Sequence, residues 1–153
     1  MKKALSTRAF FVAPFTSWGY NRGIHNHHLF DKEEIMVFIC YNKCSTCKKA
    51  QAFLDSHGLS YESRPIKEQN PTAQELEQWH KQSGLPLKKF FNTSGQLYQK
   101  MGLKDKLGEM DEQAQYDLLA QDGMLVKRPI LLLDDGRVLL GFKEGEWAAA
   151  LEG

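Results

Sequence analysis

An apolar run, Met36-Val37-Phe38-Ile39-Cys40-Tyr41, leads through Asn42-Lys43 into Cys44-Ser45-Thr46-Cys47 and on into Lys48-Lys49-Ala50-Gln51-Ala52-Phe53-Leu54. The first stretch reads as a buried strand and the last as a helix. The two cysteines therefore sit where a strand turns into a helix. A thiol at a helix N-terminus faces unpaired backbone N–H groups and the positive end of the macrodipole. Both favour thiolate over thiol and draw the pKa down from about 8.5 towards neutrality. Lys43, Lys48 and Lys49 add positive charge in the same turn. The Cys-x-x-Cys spacing brings the second sulfur within disulfide reach of the first. The chemistry implied is thiol–disulfide exchange.

Cys-x-x-Cys can also be half of a structural zinc site, which needs a second ligand pair at suitable spacing. The chain has 3 cysteines, and the third, Cys40, lies within the strand and is expected to pack as a small hydrophobe. His25, His27 and His28 are the remaining candidates, in a segment without periodicity. No metal is expected. A formal net charge of +1 gives no bulk electrostatic attraction to nucleic acid or to an anionic membrane. No apolar run approaches the roughly 20 residues needed to span a bilayer. Sparse cysteines with one close pair fit a reducing compartment, by default the cytoplasm.

Residues 1–35 stand apart from the remainder of the chain. Met1 to Phe30 contains Lys2, Lys3, Arg8 and Arg22 and no acid, and its apolar stretch Ala9 to Phe15 is broken by Pro14. The composition faintly resembles an organelle transit peptide. It is read here as a disordered extension, a cloning remnant, or translation from a start upstream of Met36, the last being preferred because Met36 opens the first strand.

From Met36 to Gly153 the chain is expected to form one domain. His57-Gly58 ends the first helix, and Ser60 to Ile66 reads as a second strand, completing a βαβ unit. Thr72 with Glu75 makes a capping box for a helix carrying Leu76, Trp79 and His80. His80 reads as a helix-surface residue and not as a base. Short helical pieces follow, with Ser94 and Asp111 as expected caps, so that an all-helical insert occupies about 70–125. Ile130 to Leu133 then fits a buried strand, Asp134-Asp135-Gly136-Arg137 a hairpin turn, and Val138 to Phe142 the returning strand. Glu144 to Leu151 closes the chain as a helix, with Trp147 and Leu151 on one face. Cysteines after the first strand and Arg128-Pro129 before the third give the layout of an α/β, thioredoxin-like fold (βαβ … ββα), with the insert between the second and third strands.

The stretches Tyr41 to Ala50, Ser83 to Gly95, Asp122 to Ile130 and Val138 to Trp147 resemble the arsenate reductase/Spx family, in the family's order and across about residues 36–153. The resemblance implies a thioredoxin-like core, a cis Pro129 facing the cysteines, and one of two functions. In glutaredoxin-coupled arsenate reductases, the cysteine matching Cys44 attacks arsenate while three arginines bind the oxyanion. Arg128 aligns with one of these and Lys88 with another, Lys88 keeping the charge without the bidentate fork. The third falls near Gly141-Phe142, where this chain has no cation, and Cys47 stands where those enzymes carry serine. Spx-type regulators use the cysteine pair as a disulfide switch, bind the C-terminal domain of the RNA polymerase α subunit, and run on past the last helix in a basic tail.

The reading preferred from the sequence is an enzyme, a thiol–disulfide oxidoreductase acting on a disulfide or a small oxyanion. Cys44, nearer the solvent-facing loop, attacks and Cys47 resolves the adduct. Arg128 and Lys88 hold an anionic substrate such as a glutathione carboxylate or arsenate, and the Thr46 backbone N–H donates to the same anion. No cofactor is bound. A cellular thiol reductant, glutathione/glutaredoxin or thioredoxin, restores the pair. The alternative is the redox-sensing regulator with RNA polymerase as its partner; neither reading involves direct nucleic-acid or membrane contact.

Overall fold

A computed structural model describes residues 35–153. The expectations about the N-terminal extension, and about His25, His27 and His28 as metal ligands, lie outside the described residues apart from Ile35. The elements are β1 (Met36–Cys40), α1 (Ser45–Ser56), β2 (Tyr61–Pro65), α2 (Ala73–Ser83), α3 (Gln96–Lys100), α4 (Leu103–Lys106), α5 (Glu112–Leu119), β3 (Ile130–Leu132), β4 (Val138–Leu140) and α6 (Glu144–Glu152). The strands form one sheet in the order β2-β1-β3-β4. β1 runs parallel to β2, with Phe38 opposite Ser63, and antiparallel to β3, with Phe38 opposite Leu131. β3 and β4 are an antiparallel hairpin. This is a thioredoxin-like fold.

Period-two alternation divides the sheet residues between two cores. Ile39 and Ile130 point into the cluster built by the insert, with Leu76, Trp79 and Phe90. Phe38, Leu131 and Leu133 point the other way, against Ala50, Phe53 and Leu54 of α1 and Trp147 of α6. Burying each of the larger side chains contributes about 1.5–3 kcal/mol. The Trp147 ring also meets Phe38 and Phe142 edge-on, and its indole N–H donates to the Gly141 carbonyl at 2.9 Å. Helix α6 is thereby tied to the loop that follows β4.

Local signals set most boundaries. Helix α1 ends at His57, with Gly58 left-handed beyond it. Thr72 and Glu75 form the full reciprocal capping box, and the Asp111 carboxylate accepts from the Ala114 N–H. Ser94 departs from expectation. The residue before α3 is Gly95, without a side-chain cap, and the Ser94 hydroxyl donates to Asn92 Oδ1 at 3.4 Å. The Asn92 side chain occupies the space a Cβ on Gly95 would fill, which positions the turn by close approach instead. β4 stops at Leu140, short of Phe142, because Gly141 takes a positive φ of 73°. The insert is helical throughout except for an isolated antiparallel bridge between Phe91 and Val126. The Asn92 N–H to Leu125 and Lys127 N–H to Phe90 hydrogen bonds, each 2.7 Å, close that bridge and bring the middle of the insert and its C-terminal end to one cleft with Cys44. Among the described residues, no helix is long and apolar enough to cross a membrane.

Candidate functional site

Tyr41, one residue past β1, organises the turn. Its carbonyl accepts from the Cys44 N–H at 2.9 Å, and its own N–H donates to Cys47 Sγ at 3.4 Å. Cys44 is the N-cap of α1, with φ −96° and ψ 120°, and Cys47 lies in the first helical turn. Cys44 is half-buried, whereas Cys47 is only 3% exposed. The sulfur that a substrate can reach is therefore that of Cys44.

The thiols titrate in opposite directions. Burial raises the Cys44 pKa, but the backbone N–H and thiol of Cys47 and the Arg128 guanidinium outweigh it, so the Cys44 thiol falls below its ordinary value. Cys47 is pushed up to about 12, first by burial and then by its neighbours Cys44 and Cys40, against the opposing Tyr41 N–H. One sulfur is shifted towards thiolate relative to an ordinary cysteine and the other is held as thiol. Lys43, Lys48 and Lys49 are exposed and are not among the groups that lower Cys44. The cation that matters comes from the far end of the insert.

Arg128 precedes Pro129 through a cis peptide bond. Its guanidinium carbon lies 5.2 Å from the Tyr41 ring centroid, and Nη1 is 3.6 Å from Met124 Sδ. Nε is buried without a hydrogen-bond partner, and among the described residues no carboxylate lies within ion-pair distance of Arg128. A half-buried guanidinium with one buried, unpartnered N–H is suited to an incoming anion.

Cys44, Thr46 and Arg128 line one open cleft of about 720 Å³. Lys88, on the turn Leu87–Phe90, is exposed and does not line it; Pro129 is buried behind it, where its carbonyl accepts from the Gly141 N–H at 2.8 Å. Lys100, Lys127 and Lys143 do line the cleft. Positive charge is therefore present near Gly141, where alignment alone showed none. A Cβ on Gly141 would lie 3.2 Å from Lys127 Cε, so the missing side chain leaves room for that lysine to run along the wall. The one acid in the lining, Asp122, accepts from the Met124 N–H at 2.8 Å. Leu97, Leu140 and Phe142 supply an apolar side to the same cleft. The lysines and Tyr41 were not singled out from sequence, because each reaches the site through tertiary placement and not through a local motif. His80, expected at the helix surface, is half-buried, with Nδ1 2.7 Å from the Tyr116 hydroxyl and its ring edge-on to Phe90. Among the described residues, no group of three His, Cys, Asp or Glu side chains could hold a metal ion.

A thioredoxin-like sheet, paired cysteines at the head of its first helix and a cis proline opening its third strand define a thioredoxin-fold thiol protein. The chain belongs to the ArsC family, whose profile matches residues 40–150. It is 48% identical over 112 residues to the uncharacterized protein YusI of Bacillus subtilis, covering 73% of this chain and 94% of that one. A possible arsenate reductase from Streptococcus mutans has a solved structure that aligns with a TM-score of 0.68 at 43% identity, over 74% of this chain and 98% of the other. The global transcriptional regulator Spx of Staphylococcus epidermidis is 30% identical over 67% of this chain and 76% of its own length. The relatives thus include both reductase-like and regulator proteins.

Proposed function

We propose that this chain is a thiol–disulfide oxidoreductase working in a reducing, cytoplasmic setting, with Cys44 as nucleophile and Cys47 as resolving thiol. The observation that carries this reading is the half-buried Cys44 sulfur in an open cleft beside Arg128, with a second thiol buried behind it. The Cys44 thiolate attacks one sulfur of the substrate disulfide, forming a mixed disulfide and expelling the other half as thiolate. Cys47 then gives up its proton and attacks Cys44 Sγ, releasing the second half. Two electrons pass from the cysteine pair to the substrate, leaving a Cys44–Cys47 disulfide. An external dithiol or glutathione system reduces it. With the adduct on Cys44, one of the effects opposing ionisation of Cys47 is removed, while the Tyr41 N–H still favours its thiolate against the larger effect of burial.

Arg128, Lys100, Lys127 and the Thr46 N–H are suited to hold an anionic substrate. A small oxyanion such as arsenate meets the same cations, but the size of the cleft and its apolar side favour an organic anionic disulfide. The relationship to Spx supports a second reading, in which the same disulfide is a redox switch for binding the C-terminal domain of the RNA polymerase α subunit. Coupled turnover of glutathione-based and other anionic disulfides, supplied with glutaredoxin or thioredoxin, separates the two. The reductase reading expects turnover that Cys44→Ser abolishes and that Cys47→Ser retains only as a slower glutathione-dependent reaction. Absence of turnover, together with redox-dependent capture of the polymerase domain, would replace it with the regulator reading.

A further inference from the structure

Cys47 does not line the cleft that Cys44 opens onto; it lines a second cavity, of about 390 Å³, together with Cys40, Lys48, Gln51, Ser63 and Pro65. Cys40 is the last residue of β1 and projects to the sheet face that α1 covers. Its Sγ is half-buried and lies 3.6 Å from Ser63 Oγ. The Cys47 sulfur is 3.4 Å from the Tyr41 nitrogen, which is bonded directly to the Cys40 carbonyl carbon. Standard backbone dimensions then hold Cys47 Sγ within about 6 Å of the Cys40 Cα. Both residues line the same cavity, and a disulfide between them calls for rotation about χ1, which turns Cys40 Sγ away from Ser63.

We propose that Cys40 is a third redox thiol, which takes over the disulfide from Cys44 and presents it in the second cavity as a Cys40–Cys47 bond. The inference rests on the reading of Cys44–Cys47 as the disulfide left after substrate reduction. In the exchange, Cys40 loses its proton and its thiolate attacks Cys47 Sγ. The Cys40–Cys47 bond forms, the Cys44–Cys47 bond breaks, and Cys44 leaves as thiolate. No electrons enter or leave the protein. The direction is favoured because Cys44 is the better leaving group, stabilised as an anion by Arg128 and the helix N-terminus. The consequence is a division of labour. The substrate cleft regains its nucleophile while the external reductant works at the other cavity.

Trypsin separates the possibilities because Lys43 lies between Cys40 and Cys44. Cys40 leaves on the peptide Glu33–Lys43, and Cys44 and Cys47 leave together on Cys44–Lys48. The full chain and its Cys44→Ser variant are oxidised with diamide and blocked with N-ethylmaleimide. The monomers are then isolated, digested and mapped by mass spectrometry. The proposal expects the two peptides to be disulfide-linked in both proteins, and the link to be absent when Cys40→Ala is added. No link in Cys44→Ser overturns it, since Cys40 is then out of reach whatever Cys44 does. A link in Cys44→Ser but only a bond internal to Cys44–Lys48 in the full chain overturns it too, because Cys44 then keeps the disulfide. Failure of the underlying reading looks different: the Cys40→Ala variant, which cannot pass the disulfide on, would form no bond between Cys44 and Cys47 within the peptide Cys44–Lys48.

Discussion

Cys44 and Cys47 have the same side chain and opposite tendencies, and the cause is position. Cys44 occupies the N-cap, half-buried beside a guanidinium; Cys47 is enclosed one turn later and is pushed up to about 12. Arg128 links the two ends of the site, because it stacks on the Tyr41 ring while Tyr41's backbone fixes both cysteines. Replacing it tests that linkage. Arg128→Ala is expected to raise the Cys44 pKa and to slow alkylation by iodoacetamide at neutral pH by about 3- to 10-fold, since each pKa unit is worth a factor of about ten in thiolate. Stopped-flow alkylation checks it, and an unchanged rate would assign the lowering to the Cys47 backbone N–H and thiol without Arg128. The Cys-x-x-Cys turn was legible in the sequence because it is local. The cation acting on it was not: Lys43, Lys48 and Lys49 are closer in the chain, yet their side chains are exposed, whereas Arg128 reaches Cys44 only through the sheet.

At the level of elements, features set by a few neighbouring residues could be read in advance. Thr72-Glu75, Asp111 and His57-Gly58 each complete their own hydrogen bonds and needed no tertiary context. Ser94 shows the limit, since a capping residue type is overridden where Asn92 packs against Gly95. Gly123 shows another, because a Cβ there would run into the Ile66 carbonyl, and no local pattern announces that approach. The insert is held to the sheet partly by Arg64 of β2, whose Nη1 and Nη2 meet the Glu75 carboxylate at 2.7 and 3.0 Å, with the guanidinium carbon 5.8 Å from the Trp79 ring centroid. The Arg64 hydrogen bonds hold the Glu75 carboxyl below its ordinary range, and the Thr72 N–H adds to them. A carboxyl lowered in the folded state contributes stability above its unfolded pKa, about 4.3, and loses it as pH falls through the folded value. Glu75→Gln is therefore expected to destabilise the fold by about 1 kcal/mol at neutral pH, screened as the pair is by solvent, and by much less near pH 3. Urea unfolding at the two pH values measures this. A gap that stays constant or widens on acidification would contradict the assignment.

Taken whole, the molecule brings four distant pieces of chain to one cleft: the β1–α1 turn, the Asn92–Lys100 segment, the end of the insert around Met124–Arg128, and the loop after β4 anchored by Trp147. The order of strands and the position of the insert were legible, because hydrophobic alternation and the cysteine and proline positions constrain them together. Which lysines face the cleft was not. Alignment favoured Lys88, but its turn directs Leu87 and Phe90 into the core and leaves Lys88 in solvent. Lys100, Lys127 and Lys143 supply the charge instead, since the Phe91–Val126 bridge and the left-handed Gly141 set the cleft walls. All of this serves one sulfur. The most direct test is the thiolate absorbance of the reduced full chain titrated with pH, with Cys44→Ser subtracted to isolate Cys44. The account predicts that Cys44 ionises below the ordinary thiol value while Cys47 stays protonated through neutrality. A Cys44 that ionises at or above the ordinary value would contradict it and leave the cleft without a nucleophile.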